Sequence, residues 1–349
     1  MDLTPMRPQF ASDNYAGVCP EAFAALAEAN RGHTAAYGDD PWTAEAIRHV
    51  RALFETECEV FLVFNGTAAN SLALSALCRP HDAVLCHEAA HVQTDECGAP
   101  AFFSGGLKLV PVPGAAGKLA PAAIEAFVER AGDVHASRPR AISLTQATEL
   151  GTVYSADELR AICGAARSRG LRVHQDGARL ANAVAALGAR PRELTWEAGV
   201  DVVTLGGTKA GMAAGEAVVF FDRELAREFA YRRKQGGQLA SKMRFLAAPW
   251  VGMLRDGAWL RHARHANAMA EALLGAIQGL PGVEVLHPRQ ANSVFVRFPS
   301  GATPAMHAKG WHFYEVARFG GARLMCSWDT REEDVRDFAA DLRAVLAGG

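Results

Sequence analysis

A glycine turn after a short apolar run is the first candidate for chemistry in this sequence. The run VFLVF is followed by Asn65, Gly66 and Thr67, and a helical pattern begins there. Glycine lets the backbone approach an anion, and the free N–H groups of a first helical turn, the helix dipole and the Thr67 hydroxyl can together bind a phosphate. The alternative is an ordinary turn in which Thr67 caps the helix. The motif is neither G-x-G-x-x-G nor Walker A, which argues against a dinucleotide or a nucleoside triphosphate.

A carboxylate and a lysine follow two later apolar runs. Asp176 ends LRVHQD, where a carboxylate can pair with a protonated ring nitrogen or a metal, or cap the helical pattern ARLANAV. Lys209 comes after DVVTLG and is surrounded by Gly206, Gly207 and Gly211. Small neighbours allow a lysine to be held close to a ligand, and partial burial makes its amine more nucleophilic. The alternative is an exposed loop lysine.

Residues 87–91 read His-Glu-Ala-Ala-His, the H-E-x-x-H pattern of zinc proteases. Zinc chemistry requires both histidines on one face of a regular helix and a further ligand downstream. His87 directly follows the apolar run AVLC, so a helix would begin too late to carry both His87 and His91. We therefore predict that the match is coincidental and that the chain has no metal site.

Seven short apolar runs must position these residues. They predict buried strands that alternate with amphipathic helices, a pattern typical of an α/β fold with a largely parallel sheet covered on both faces. The predicted strands are 60–65, 83–88, 108–112, 141–146, 171–176, 201–206 and 217–221. Ligands of open α/β sheets bind at the carboxyl ends of the strands, which is where all three motifs fall.

The C-terminal part has a different pattern. Helical sequence dominates 222–280, then strands are predicted at 283–286, 292–298 and 322–328, and a last helix begins near Thr330. This arrangement indicates a smaller α+β domain. We predict a large domain with the N-terminal segment over 1–240 and a small C-terminal domain over 241–349.

Composition excludes several classes of protein. The 349 residues carry 36 Lys+Arg against 38 Asp+Glu, a formal charge of -2, with no block of like charge, so neither nucleic acid nor a membrane surface is an expected partner. The N-terminal residues contain no apolar signal segment, and we expect a cytoplasmic protein. The seven cysteines include no C-x-x-C pair, which argues against a disulfide framework and a cysteine zinc site.

The order of the three motifs resembles a known layout. A phosphate turn, a strand-terminal Asp and a lysine 33 positions later are typical of pyridoxal-phosphate enzymes of the aspartate-aminotransferase-like fold type I. Finer matches make the chain similar to the threonine aldolase family, within the β-eliminating lyases, over essentially its whole length. They are FASDN (10–14), YGDDP (37–41), NGTAAN (65–70), AAH (89–91), VHQDGARLANA (173–183), GGTKAG (206–211) and ARLMCSWDT (322–330).

This resemblance implies roles for the cofactor residues. Lys209 would hold pyridoxal 5'-phosphate covalently, and Gly66 and Thr67 would bind its phosphate. Asp176 would pair with the pyridine nitrogen, which keeps that nitrogen protonated and makes the ring an electron sink. His91 would stack on the ring or work as a base.

The resemblance also implies a carboxylate site. Arg179 and Arg323 would bind the carboxylate of an amino acid, since a bidentate guanidinium suits that group, and Ser12 would add a contact. Arg179 would contact the cofactor as well. One departure concerns the base: where the family commonly has a Thr-His pair, this chain has Thr148-Glu149. The proton acceptor would then be His91, a water or Glu149.

The activity implied is retro-aldol cleavage of L-threonine, L-allo-threonine and related β-hydroxy-α-amino acids to glycine and an aldehyde. A β-eliminating lyase or transaminase-like reaction with the same cofactor is the nearest alternative, and a zinc hydrolase the more distant one. The family usually completes its sites with a neighbouring subunit, so a homo-oligomer, tetramer or dimer, is expected.

Overall fold

The central sheet is built from the apolar runs identified in the sequence. In the computed structural model, which describes residues 6–129, 133–316 and 320–348, all seven predicted strands are present in one sheet. They are β1 (Glu59–Val63), β2 (Asp82–His87), β3 (Lys108–Val112), β4 (Arg138–Thr145), β5 (Arg172–Gly177), β6 (Val202–Leu205) and β7 (Glu216–Phe220).

The strand order in this sheet is β1-β7-β6-β5-β4-β2-β3. The pairs from β6 through β3 are parallel, whereas β7 runs antiparallel to both β1 and β6. Every residue of β2, β6 and β7 is buried, which explains why these strands read as continuous apolar runs rather than alternating ones. The predicted mostly parallel α/β sheet is confirmed.

Helices cover both faces of this sheet, and some of them begin at a residue whose side chain caps the helix. The longer ones in this part are α1 (Pro20–Ala29), α2 (Pro41–Phe54) and α3 (Gly66–Leu77), with the short α4 (His91–Thr94) and α5 (Ala99–Ser104), then α6 (Pro121–Glu129), α7 (Ala156–Ser168) and α8 (Leu180–Leu187). Ser155 and Glu158 form a capping box at the start of α7, and Gly170 follows its end with a positive φ of 69°.

After β7 the chain is mostly helical, as the sequence predicted, and a second sheet follows. The helices are α9 (Phe229–Gln235), α10 (Arg244–Arg255), α11 (Ala258–Ile277), α12 (Ala302–Ala308) and α13 (Glu332–Ala347). The strands are β8 (Glu284–Val285), β9 (Ser293–Arg297), β10 (Tyr314–Val316) and β11 (Gly321–Met325).

This second sheet is antiparallel throughout, in the order β10-β11-β9-β8. A cluster of buried side chains joins it to α11, α13 and Phe10 of the N-terminal segment, so the small α+β unit has a core of its own. Helix α10 packs instead on α1 and α2, beside the central sheet. The division at 240/241 stays a prediction.

Within the described residues, none of the helices combines the length and apolar character needed to cross a membrane. All seven cysteines are free, and only Cys97 is exposed.

Candidate active site

Two adjoining cavities lie at the carboxyl ends of the central strands. The smaller, of about 340 Å³, contains the cofactor residues expected from the sequence except Arg179, which lines the larger one. Its lining is Asn14, Asn65, Gly66, Thr67, Ala69, His91, Asp176, Ala178, Thr204, Gly206, Thr208, Lys209 and Glu216. The larger, of about 610 Å³, has Ser12, Asn14, His91, Asp95, Glu149, Arg179, Lys209, Tyr314, Glu315, Val316 and Arg323 around it. Each residue predicted for the site therefore lines one of these cavities, and His91 and Lys209 line both.

The turn after β1 provides a helix start that faces the smaller cavity. Helix α3 begins at Gly66, and its cap is Asn65, whose side chain accepts a hydrogen bond from Ala68 N at 2.9 Å. The alternative in which Thr67 caps the helix is thus wrong. The first N–H groups of a helix have no intrahelical partner. A β-carbon on Gly66 would meet no protein atom within 4 Å, so the space beside this turn can accept a phosphate.

Asp176 is a buried carboxylate at the end of β5, only 4% exposed. Its Oδ2 accepts from Asn70 Nδ2 at 2.8 Å and its Oδ1 from Ala178 N at 2.9 Å. Helix α8 has no side-chain cap, so Asp176 does not cap it. Burial opposes ionisation, but the charges of His91 and Lys209 and the Ala178 N–H bring the pKa of Asp176 below its ordinary value. A negative charge therefore faces the cavity.

Lys209 lies on a single turn of 3₁₀ helix after β6, between the two cavities. Its amine makes no hydrogen bond or ion pair with any other residue that the structure describes. The glycines before it are required by packing: a β-carbon would come within 2.3 Å of Ala178 O at Gly206 and within 2.4 Å of Gly215 O at Gly207. The glycines thus bring this turn close to the end of β5.

Two guanidinium groups converge in the larger cavity. Arg179 is held by Asp13, which accepts from its Nε at 2.7 Å and from its Nη2 at 2.9 Å. Burial disfavours both charges, yet the pairing raises the pKa of Arg179 and lowers the pKa of Asp13. Ser12 precedes this aspartate and its Oγ accepts from Asn14 N at 3.2 Å, which fixes the turn.

Arg323 makes fewer hydrogen bonds with the protein than Arg179 does. It lies in β11, its Nη2 donates to Ala11 O at 3.2 Å, and its buried Nε has no partner among the described residues. Burial, and next the repulsion from Arg179, lower the pKa of Arg323. The acidic residues at 332–334, which follow β11 in the chain, pair with Arg331 and Arg336 rather than with Arg323. An anion in this cavity would find Arg323 free to bind it.

Three polar residues behind the site were not predicted from the sequence. Asp13, Asn70 and Glu96 hold Arg179, Asp176 and His91 respectively, with a contact between Glu96 Oε1 and His91 Nδ1 of 2.9 Å. Asp13 lies in FASDN and Asn70 in NGTAAN, so the motifs contained the signal, whereas nothing in the spacing marked Glu96.

The His-Glu-Ala-Ala-His segment is not a zinc motif on one helix. His87 is the last residue of β2 and its Nε2 lies 3.0 Å from Gly114 O, while His91 begins α4. Ligand atoms of His91, Glu96 and Asp176 lie within 4.8 Å of one another. However, the Asn70 amide donates to both carboxylates there, which is an arrangement for hydrogen bonds rather than for a cation.

Glu216 is a second unexpected acid in the smaller cavity. It begins β7, is 8% exposed, and its Oε2 accepts from Gly207 N at 2.7 Å, so it fixes the turn that carries Lys209. Burial raises the pKa of Glu216 to about 7.

The pair Thr148-Glu149 stands where the family commonly has Thr-His. Glu149 lines the larger cavity, whereas Thr148 Oγ1 lies 2.7 Å from Thr152 Oγ1.

Comparisons with known proteins show which family the chain belongs to. A model of the β-eliminating lyase family matches residues 9–299. The chain is 58% identical over 345 residues to a low specificity L-threonine aldolase of Pseudomonas sp. (strain NCIMB 10558), covering 99% of this chain and 100% of the relative. A low specificity L-threonine aldolase of Pseudomonas aeruginosa is also 58% identical, over 99% of each chain. A solved structure of Leishmania major threonine aldolase has a TM-score of 0.90 at 28% identity, over 97% of this chain and 100% of that one.

Fold and site together define a fold type I architecture of the aspartate-aminotransferase kind, with a lysine at the ends of the parallel strands. The chain belongs to the β-eliminating lyase family and, within it, to the threonine aldolases. The resemblance seen in the sequence is confirmed.

Replacing Glu216 by Gln should change how stability depends on pH. Because the folded-state pKa of about 7 lies above the ordinary glutamate pKa of 4.5, Glu216 favours the folded state at low pH, and this contribution is lost as pH rises through 7. Gln does not titrate. We expect the melting temperature of the variant, relative to the parent, to rise between about pH 5 and about pH 8, by an amount equivalent to roughly 1–3 kcal/mol. The exposed Glu125→Gln is the control, and equal differences at both pH values would contradict the assignment.

Proposed function

We propose that this chain is a pyridoxal-phosphate-dependent aldehyde-lyase that cleaves L-threonine, L-allo-threonine and related β-hydroxy-α-amino acids to glycine and an aldehyde. The observation that carries the proposal is the position of Lys209. It stands between a cavity that ends in the buried, ionised Asp176 and a cavity that contains two guanidinium groups. The 58% identity to low specificity L-threonine aldolases supports the same reaction.

The residues of the smaller cavity fit the cofactor at both of its ends. The first turn of α3, with Gly66 and Thr67, offers N–H groups and a hydroxyl to the phosphate. Asp176 offers a buried negative charge to a protonated ring nitrogen, and Lys209 offers an amine to the aldehyde. When bound, the cofactor supplies an electron sink for the bond that breaks. His91 lines the same space and would lie against the ring.

The larger cavity fits the carboxylate of an amino acid. The Nε of Arg323 is unpaired among the described residues, and the Nη1 of Arg179 takes no part in the bidentate pair with Asp13. Arg179 would in addition contact the cofactor, since its neighbour Ala178 lines the smaller cavity. Ser12 completes the carboxylate contacts. Anchoring the carboxylate there sets the direction of the Cα–Cβ bond, and holding that bond perpendicular to the ring lets its electrons overlap the ring orbitals.

Cleavage also requires that the β-hydroxyl lose its proton. We assign this step to His91, because its ring faces both cavities and one of its nitrogens is already engaged by Glu96. Glu149 lines the larger cavity beside it and is the second candidate. A general base of this kind contributes about 10²–10⁴-fold to the rate.

We also propose a homo-oligomer, tetramer or dimer, in the cytoplasm. The oligomer is what the sequence resemblance to the threonine aldolases implies, and the balanced charge of -2 supports a chain without nucleic-acid or membrane partners.

Product analysis tests the proposed reaction. Incubation with L-threonine, L-allo-threonine or β-phenylserine should release glycine and the matching aldehyde in equal amounts, and Lys209→Ala should abolish turnover and the visible absorbance of bound cofactor while the protein stays folded. The exposed Lys108→Ala on β3 is the control and should retain both. Release of 2-oxobutanoate and ammonia from threonine, or turnover by Lys209→Ala near the parent rate, would refute the proposal.

Arg323→Lys tests the carboxylate site. Lysine keeps the charge but cannot make the bidentate contact of a guanidinium with a carboxylate. The binding free energy of glycine should therefore weaken by roughly 1–3 kcal/mol, the value of a hydrogen bond to a charged group. The measurement is a titration of the cofactor spectrum with glycine, with Arg297→Lys, an exposed arginine of β9, as the control. The absorbance without glycine should be unchanged. Equal affinity in variant and parent would remove Arg323 from the site and leave Arg179 alone in that role.

A further inference from the structure

A buried glutamate lies behind His91. Glu96 is 2% exposed and follows α4 in the chain. Its Oε1 is 2.9 Å from His91 Nδ1 and accepts from Asn70 Nδ2 at 2.8 Å, and its Oε2 accepts from Ser71 Oγ at 3.4 Å. Burying a carboxylate is costly, and this one is supported by polar groups rather than by a lysine or arginine.

The contacts of Glu96 determine which ring nitrogen of His91 carries the hydrogen that is donated to Glu96. Asn70 Nδ2 is a donor in any protonation state and occupies one lone pair of Oε1. The remaining lone pair is available to an N–H from the imidazole, so Nδ1 is the donor and Nε2 is the nitrogen left for the cavities. The same Asn70 amide donates to Asp176, while its own oxygen accepts from Thr204 Oγ1 at 2.7 Å, which fixes the amide orientation.

The pKa shifts of His91 and Glu96 agree with a hydrogen bond between them. The hydrogen bond with Glu96 raises the pKa of His91, and burial raises the pKa of Glu96, so the pair retains a proton readily. The other charged groups that face His91 are Asp176 at the end of β5, Glu149 after β4 and Lys209 after β6. Of these, the two acids act in the same direction as Glu96 and Lys209 acts against it.

We propose that Glu96 is a positioning residue: it holds His91 in the Nδ1–H form, with Nε2 directed at the substrate, and stabilises the imidazolium once Nε2 has taken the β-hydroxyl proton. The inference rests on the proposed function, because it gives His91 its task in threonine cleavage. The proton moves from the substrate oxygen to Nε2 as the Cα–Cβ bond breaks and the aldehyde leaves, and Nε2 then returns it to Cα to give glycine, so no further reactant is required.

The first test is the pH profile of kcat/KM for threonine cleavage by the Glu96→Gln holoenzyme. Without the carboxylate the pKa of His91 should fall, so the acid limb of the profile should move to lower pH by roughly 1–3 units, the range for removal of a close opposite charge. The matched control is Glu88→Gln, an exposed glutamate three positions before His91, which should leave the limb in place. An acid limb that does not move in Glu96→Gln would overturn the proposal.

A double-mutant cycle separates positioning from support of the fold. His91→Asn should lower kcat/KM by about 10²–10⁴-fold. If Glu96 acts through His91, adding Glu96→Gln to His91→Asn should change kcat/KM by less than about twofold, because the interaction is already lost. If the two losses multiply instead, Glu96 supports the structure and the proposal fails.

A measurement on the parent holoenzyme needs no turnover and uses a variant only to assign the signals. In protein labelled with ¹⁵N-histidine, the His91 signals, assigned by their loss in His91→Asn, should show Nδ1 protonated at every pH while Nε2 titrates. Titration of Nδ1 with Nε2 protonated throughout would overturn the proposal. This readout distinguishes the two inferences: absence of glycine formation refutes threonine cleavage, whereas the wrong tautomer refutes the role of Glu96.

Discussion

The buried charge of Asp176 is the constraint on which the site depends. A carboxylate that is 4% exposed and ionised requires donors and a nearby cation, and the chain provides both. Asn70 from α3 and the Ala178 N–H satisfy its oxygens, and Lys209 and His91 supply positive charge. A cofactor with a protonated ring nitrogen would pair with that charge, which explains why a negative side chain is kept at this depth.

The remaining architecture brings distant segments to this charge. The parallel strands end at a common edge, so the turns after β1, β5 and β6 meet although they are far apart in the chain. The second sheet adds Arg323: β11 pairs with β9 and β10 and places the guanidinium beside Arg179. Asp13 from the N-terminal segment then holds Arg179, which links both parts of the chain to one carboxylate site.

Much of this was predictable from the sequence, and the exceptions have a common physical cause. The seven strands followed from continuous apolar runs, and Gly66, Asp176 and Lys209 from their places directly after three of them. The roles of Asp13, Asn70 and Glu96 depend on partners 166, 106 and 5 positions away, in contacts that no local pattern encodes. The alternatives in which Thr67 or Asp176 caps a helix also rested on local preference. In the structure Asn65 caps α3, and Asp176 accepts from the Ala178 N–H instead.

The most direct test of the central claim is the steady-state cleavage of L-threonine by Asp176→Asn at saturating cofactor. The amide keeps the size and can accept from Asn70 or from the Ala178 N–H, though not from both, and it cannot balance a protonated ring nitrogen. We predict that kcat falls by at least about 10²-fold, the usual cost of losing one preorganised electrostatic group, while the protein remains folded. A variant with the parent kcat and a change confined to KM would contradict the account, since Asp176 would then be a structural residue and its charge would have no part in the chemistry.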